Sequence, residues 1–318
     1  MTQRALDSST FTIHPLVQES LASGKPIVAL ESTIISHGLP HPENIRVAGE
    51  VEDMVRSQGA VPATIAVLAG KVHIGLTPVQ IEEIATRNDV AKASIRDLGV
   101  VCAQSGFAAT TVAATSHVAH LAGIEIFATG GLGGVHRQAR DSWDESADLI
   151  ALSSIPITVV CSGVKSILDV GATLERLETL NVGVIGYGSH QFPGFYLTDS
   201  GHLVDWRLDH PEDIAKVISS RVKLGIGSGL VVANPLPQDQ QLDPDLHDQV
   251  LREGLDLARE RNISGKQVTP FLLDHFHRAT HGDSLIVNAN IIVQNAKLAA
   301  RIAVARFDLT SSALPRST

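Results

Sequence analysis

The sequence predicts an α/β protein: three layers, α/β/α, around a central mixed, largely parallel sheet. Three observations carry that expectation. The 318-residue chain is 44% hydrophobic but only 4% aromatic, so its core is aliphatic, and 26 glycines supply tight turns. Short uninterrupted aliphatic runs recur, as expected of strands buried on both faces. Helical stretches with capping signals separate those runs, which is the alternation of a layered α/β fold.

The elements follow in order. Met1–Thr10 is polar and expected to be loosely ordered. Pro26–Leu30 (PIVAL) is a buried run that ends at Glu31. Asn44–Gln58 sets Ile45, Ala48, Val51 and Val55 on one helical stripe, with Gly59 where a helix stops. Ala63–Leu68 and Lys71–Gly75 flank Ala69-Gly70 and read as a hairpin. Thr77-Pro-Val-Gln80 is a capping box with proline at the first helical position. Ile124–Ala128 leads into Thr129-Gly-Gly-Leu-Gly-Gly134, and Ile157–Cys161 into Ser-Gly-Val-Lys165. Ser166–Asp169 reads as the cap of a helix that continues through Leu174, Leu177 and Leu180. Val182–Gly186 ends at Tyr187, and Leu230–Ala233 ends at Asn234-Pro235. No linker or repeat divides the chain, so residues 11–309 read as one catalytic unit and 310–318 as a flexible tail.

Composition excludes several function classes. The net charge is −9 with no basic cluster, which argues against a nucleic-acid partner. Cys102 and Cys161 adjoin apolar runs and read as buried thiols rather than a disulfide or zinc framework. No apolar run reaches ~20 residues and Met1–Thr10 lacks a signal pattern, so the expectation is a cytoplasmic protein with no membrane partner.

In open parallel sheets, sites gather at the carboxyl ends of strands, and Glu31, Thr129, Lys165 and Asn234 fall at such ends. Lys165 lies between a buried strand and the expected helix start, where the dipole and desolvation favour a neutral, nucleophilic amine; alone, it reads equally as a solvated loop lysine. Glu31 is placed for acid–base work, or else for capping. The segment Ala128–Arg137 fits a backbone anion cradle, with His136 beside it, although it matches neither the dinucleotide fingerprint nor the GxxxxGK[ST] loop. Asp144, Glu145 and Asp148 have the oxygen density for Mg²⁺ or Mn²⁺, or form a solvated helix start. His73, His117 and His120 read as structural or exposed. Asn288, Asn290 and Asn295 interrupt an apolar stretch and need partners, either ligand or backbone.

These segments together resemble the pseudouridine-5'-phosphate glycosidase family, also called the indigoidine-synthase-A-like family, from about Pro26 to Ala303. The carrying stretches are ALESTIISHGLP (29–40), GAVPATIAVLAGKVHIGLT (59–77), FATGGLGGVHR (127–137), ESADL (145–149) and GVKSILD (163–169), followed by VVANPLP (231–237), TPFLL (269–273) and SLIVNANIIVQNA (284–296). The resemblance implies that Glu31 is the proton donor and that Lys165 forms a Schiff base with the ribose. It implies that Asp144 is the metal-site acid, with Mn²⁺ usual. It places Lys92, Val112 and the stretch Ser146-Ala147-Asp148 at the substrate, with Thr129, His136 and Asn288 as further contacts to the sugar phosphate. It also implies a homotrimer. Three departures stand out: Lys92-Ala-Ser-Ile-Arg-Asp-Leu98 has one Arg fewer than the family's stretch, Glu145 adds a charge beside Asp144, and Arg140 replaces an acid.

The chemistry explains the residue types. In pseudouridine the leaving atom is a carbon, uracil C5, for which two carboxylates alone are poorly matched. An imine at C1' supplies the electron sink that a lysine can provide. Two rivals share the same residues: a Schiff-base aldolase acting on a sugar phosphate, and a non-enzymatic sugar-phosphate sensor.

Overall fold

The aliphatic runs pair into one eleven-stranded sheet in the computed structural model, which describes residues 6–263 and 267–312. The strands are β1 (Phe11–Ile13), β2 (Ile27–Leu30), β3 (Val61–Leu68), β4 (Lys71–Ile74), β5 (Ala91–Ala93), β6 (Ala108–Thr110), β7 (Ile126–Ala128), β8 (Thr158–Cys161) and β9 (Gly183–Tyr187). A separate hairpin, β10 (Gln191–Gly194) and β11 (Leu197–Leu203), precedes β12 (Trp206–Leu208) and β13 (Leu230–Ala233). The spatial order is β1-β4-β3-β2-β7-β8-β13-β9-β12, with β6 on β3 and β5 on β6. Only β4 and β6 run antiparallel to their neighbour β3; the other pairings of this sheet are parallel. The mixed, largely parallel sheet expected from the sequence is present.

Side-chain alternation along each strand fills two cores. Ile27 and Ala29 of β2, Val159 and Cys161 of β8, and Val231 and Ala233 of β13 face one side. Val28, Leu30, Val160, Leu230 and Val232 face the other. The first side is covered by α1 (Pro15–Ser23), with Val17, and by α4 (Ile95–Ala103), α5 (Val112–Ala122), α7 (Ala147–Ser154) and α8 (Val170–Thr179). It also takes α10 (Pro244–Glu260) and α11 (Val268–Ala279). The second takes α2 (Glu43–Ser57), α9 (Pro211–Lys223) and the long α12 (Asp283–Ser312). A smaller cluster under α3 (Pro78–Thr86) packs on Ala66 and Leu68 of β3. A single turn, α6 (Ala139–Ser142), completes the helices. No helix among the described residues is long and apolar enough to cross a membrane.

Local expectations are met with three corrections. The β3–β4 hairpin pairs Leu68 with Lys71, and the Thr77 capping box is formed with Gln80. On α2 the buried stripe uses Val47 with Ala48, Val51 and Val55, while Ile45 is only half-buried. Asp169, not Ser166, caps α8: its side chain accepts from Ala172 N, and Ser166–Leu168 remain a turn. Helix α12 continues to Ser312, past the Thr310 expected to open the tail. Positions 1–5 and 313–318 lie outside the described residues. Cys161 is buried, and burial pushes its thiol up to about 12, whereas Cys102 is only half-buried.

The chain leaves β2 for β3 on one side and later returns to β7 on the other, which makes the carboxyl ends of β2 and β7 a topological switch point. One amide holds this end together. The fully buried Asn295 donates through Nδ2 to Thr129 O (2.9 Å), Ser162 Oγ (3.2 Å) and Gly130 O (3.3 Å). Its Oδ1 accepts from Asn234 Nδ2 at 3.0 Å. Segments following β7, β8 and β13 are thereby tied to α12, which is why an asparagine interrupts that apolar helix. Asn295→Ala strands several buried polar groups and is expected to destabilise the protein by ~2–4 kcal/mol in urea unfolding, whereas Asn88→Ala, at an exposed position without a left-handed backbone, should change it little.

Candidate active site at the switch point

Glu31 follows β2 directly and is 8% exposed. Thr129, following β7, donates its hydroxyl to Glu31 Oε1, and Thr33 donates to Oε2. Burial raises the Glu31 carboxyl above its ordinary range; Lys165 and then Thr129 oppose the shift. The geometry brings together Glu31, Thr129 and Lys165, which follow β2, β7 and β8, with Lys92, which lies within β5.

Lys165 lies on the loop after β8, half-buried. Backbone bonds fix that loop: Leu132 N to Gly163 O (2.9 Å), Lys165 N to Leu132 O (3.1 Å) and Asp169 N to Val135 O (2.9 Å). Arg137 adds a bond from Nη2 to Ser166 O at 3.1 Å. Helix α8 starts only at Val170, so its dipole, which acts over the first turn, is not what meets the Lys165 ammonium. The expectation of a helix terminus beside this lysine is therefore corrected, and Glu31 is the charge that faces it.

Two adjoining cavities meet at Glu31, Thr33, Lys92, Lys165 and Thr269. The larger, about 290 Å³, is polar. Its wall carries Lys92 and His136, the carboxylates of Asp144, Glu145 and Asp148, and the first residues of three helices: Ser94 and Arg96 at α4, Thr111 and Val112 at α5, Ser146 and Ala147 at α7. Helix N-termini favour anions. The smaller, about 50 Å³, is mostly apolar, with Ile34, Phe195, Pro270 and Leu273 alongside His37, Gly130, Gly131 and Asn288. Asn288 thus lines the smaller cavity and His136 the larger, while Lys92 borders both.

The Gly-rich segment is not an open cradle. The amides of Thr129, Leu132, Gly133, Val135 and His136 bond to Val160 O, Gly163 O, Asp148 Oδ2, Thr173 Oγ1 and Asp144 O respectively. Its glycines serve packing: a Cβ on Gly133 would lie 2.2 Å from Ser146 Oγ, and one on Gly131 would lie 2.6 Å from Phe195 Cδ2.

Comparisons with known proteins place the chain in a family. The model for indigoidine synthase A like protein matches residues 16–305. The chain belongs to the indigoidine synthase A-like family. It is 61% identical to a pseudouridine-5'-phosphate glycosidase of Salinispora tropica, over 91% of this chain and 90% of that one. Identity to the Streptomyces griseus protein of the same name is 57%, covering 92% and 91%. Among solved structures, the prealnumycin C-glycosynthase AlnA, in complex with ribulose 5-phosphate, superposes with a TM-score of 0.89 at 32% identity, over 96% of this chain and all (100%) of that one. An indigoidine synthase A-like protein of Thermotoga maritima gives 0.86 at 34%, with the same coverage.

Within this family fold, the expected acidic cluster does not form a metal cage. Among the described residues, no three His, Cys, Asp or Glu side chains group to hold an ion. Asp148 accepts from Ala113 N and Gly133 N, both at 2.9 Å, and braces the start of α5. Glu145 pairs with Arg176 at 2.9 Å. Asp144 remains, half-buried, 3.7 Å from His136 Nδ1, whose pKa burial lowers against the pull of Asp144. One carboxylate suits a cation held largely by waters and substrate oxygens.

Sequence reasoning missed several wall residues: Thr33, His37, Ser94, Arg96, Phe195 and Thr269. Ser94 Oγ and His37 Nε2 are buried without a hydrogen-bond partner among the described residues. Proximity to Glu31 and Lys92 in sequence is a signal that could have found Thr33 and Ser94, and Thr269 opens the TPFLL stretch; nothing local marks Phe195.

Because Glu31 holds its proton more tightly folded than unfolded, its contribution is favourable below the ordinary value of 4.5 and is lost as pH rises towards the folded value. The stability of wild type relative to Glu31→Gln should therefore fall from pH 4.5 upward in urea melts. A flat difference would contradict the buried, proton-holding carboxyl.

Proposed function

We propose that this protein reversibly cleaves the C–C glycosidic bond of pseudouridine 5'-phosphate, giving uracil and ribose 5-phosphate. The single observation that carries this reading is a buried carboxyl and a lysine at the junction of an anion-attracting lobe and an apolar lobe. That layout matches a substrate with phosphate at one end, a flat base at the other and the scissile bond between. The names of the family relatives support it.

The polar lobe takes the phosphate, with Lys92 and Arg96 supplying charge and the starts of α4 and α7 supplying N–H groups and dipoles. Ser146, Ala147 and Val112 line that end, Asp148 keeps it in shape, and His136 closes it. Asp144 would hold Mn²⁺, or another divalent cation, through waters, and the ion would neutralise phosphate charge when bound. The base enters the apolar lobe, where the Asn288 amide offers a donor and an acceptor.

The Lys165 nitrogen attacks C1' as the C1'–O4' bond breaks and the ribose ring opens, and the proton lost by that nitrogen goes to O4'. Glu31, protonated through burial, delivers its proton to uracil C5 while the nitrogen lone pair forms C1'=N and the C1'–C5 bond breaks. Water then hydrolyses the imine, restoring the amine and releasing ribose 5-phosphate. Thr129 and Thr33 hold the Glu31 carboxyl in place throughout. We further assign the enzyme to the cytoplasm as a homotrimer, following the family resemblance.

Incubating the protein and Mn²⁺ with pseudouridine 5'-phosphate should release uracil, followed by chromatography. Lys165→Ala should abolish release and also the borohydride-trapped adduct with ribose 5-phosphate. Glu31→Gln should slow release by about 100- to 10,000-fold while the adduct still forms. An adduct without uracil release from the wild type would favour an aldolase; binding without any adduct would favour a sensor.

A further inference from the structure

The β10–β11 hairpin closes with only Phe195 and Tyr196 between the paired residues Gly194 and Leu197. Phe195 has φ +61°, the left-handed conformation that glycine normally supplies at the first position of such a turn. A phenylalanine there is disfavoured by roughly 1–2 kcal/mol. Tyr196 is buried, T-shaped against Phe195 at 4.7 Å and stacked on Phe276 at 5.2 Å, so the turn is firmly seated. Phe195 N donates to Ser162 O at 2.9 Å, joining the turn to the loop that carries Lys165.

This seating delivers one aromatic ring to the apolar lobe. The Phe195 ring packs against Gly130 and Gly131 so closely that a Cβ on Gly131 would meet two of its ring carbons, at 2.6 and 3.0 Å. The glycine pair, first read as part of an anion cradle, is thus shaped to admit a phenyl group. Asn288 lies alongside, its Oδ1 3.8 Å from where a Cβ on Gly130 would stand. Ile34, Pro270 and Leu273 complete the apolar lining.

We propose that Phe195 is the base-specificity residue: its ring on Gly130 and Gly131 forms the wall against which the uracil ring is bound and oriented towards Glu31. The inference rests on the pseudouridine 5'-phosphate reading and deepens it. A flat base against an aromatic ring is worth ~1–3 kcal/mol by truncation. The ring lines the smaller cavity and not the one bounded by the helix starts, so its loss should separate base binding from sugar-phosphate binding.

The test runs the reaction in the synthetic direction, varying uracil and ribose 5-phosphate independently. Phe195→Leu keeps an apolar side chain without aromaticity, and Phe195→Gly keeps the left-handed turn without strain. Both should raise KM for uracil about tenfold, within the range above, with KM for ribose 5-phosphate and the borohydride-trapped Lys165 adduct changed less than about twofold. Uracil KM unchanged in both variants would overturn the assignment, as would parallel loss of both substrates, which marks a purely structural turn. A wild type that neither forms the adduct nor makes product defeats the pseudouridine reading itself, and the Phe195 role falls with it.

Discussion

A carboxyl group buried at the switch point of a parallel sheet sets the terms for the rest of this site. Glu31 stands where the chain has gone one way from β2 and come back the other way to β7, so its neighbours come from distant parts of the sequence. Removing a carboxylate from water is costly, and the protein answers with two hydroxyl donors and a nearby lysine instead of a tight ion pair. The result is a carboxyl that holds its proton more tightly than usual, placed beside a lysine. Each condition depends on the other elements remaining registered at that sheet edge.

That registration is the work of polar groups that look, in sequence, like ligand-binding residues. Asn295 ties the ends of three strands to α12, and Asp148 spans the start of α5 and the Gly-rich segment. Both are buried, and both spend their hydrogen-bonding capacity on backbone and side-chain partners within the protein. Other polar groups line the cavity walls: Lys92, Arg96, Ser94, Asn288 and the starts of three helices. A divided site follows, rich in charged groups at one end and more apolar at the other. A nucleotide whose base and phosphate lie at opposite ends of a ribose fits such a division without either end being forced into the wrong surroundings.

The glycines of 130–134 show why a local pattern has more than one physical meaning. Small residues after a strand permit close backbone approach to a phosphate, but equally the close approach of Phe195, Ser146 or Thr173. Only the positions of those partners choose between the two. Ser166 gives the same lesson at shorter range: serine, then aspartate three residues later, both suit a cap, and the turn through Ser166–Leu168 selects Asp169.

By itself the sequence determined the layered fold, the largely parallel sheet and the strand ends at which Glu31, Thr129, Lys165 and Asn234 stand. Hydrophobic runs and caps act through neighbours in the chain, so they are legible there. The motif blocks likewise carried the family. The tertiary structure alone decided which polar residues brace and which face the cavities, that the dipole of α8 does not reach Lys165, and that Phe195 enters the site. Those outcomes depend on contacts such as Glu31 with Thr129, or Gly131 with Phe195, between residues far apart in sequence. Burial and close approach are properties of the packed chain, and no local pattern encodes them.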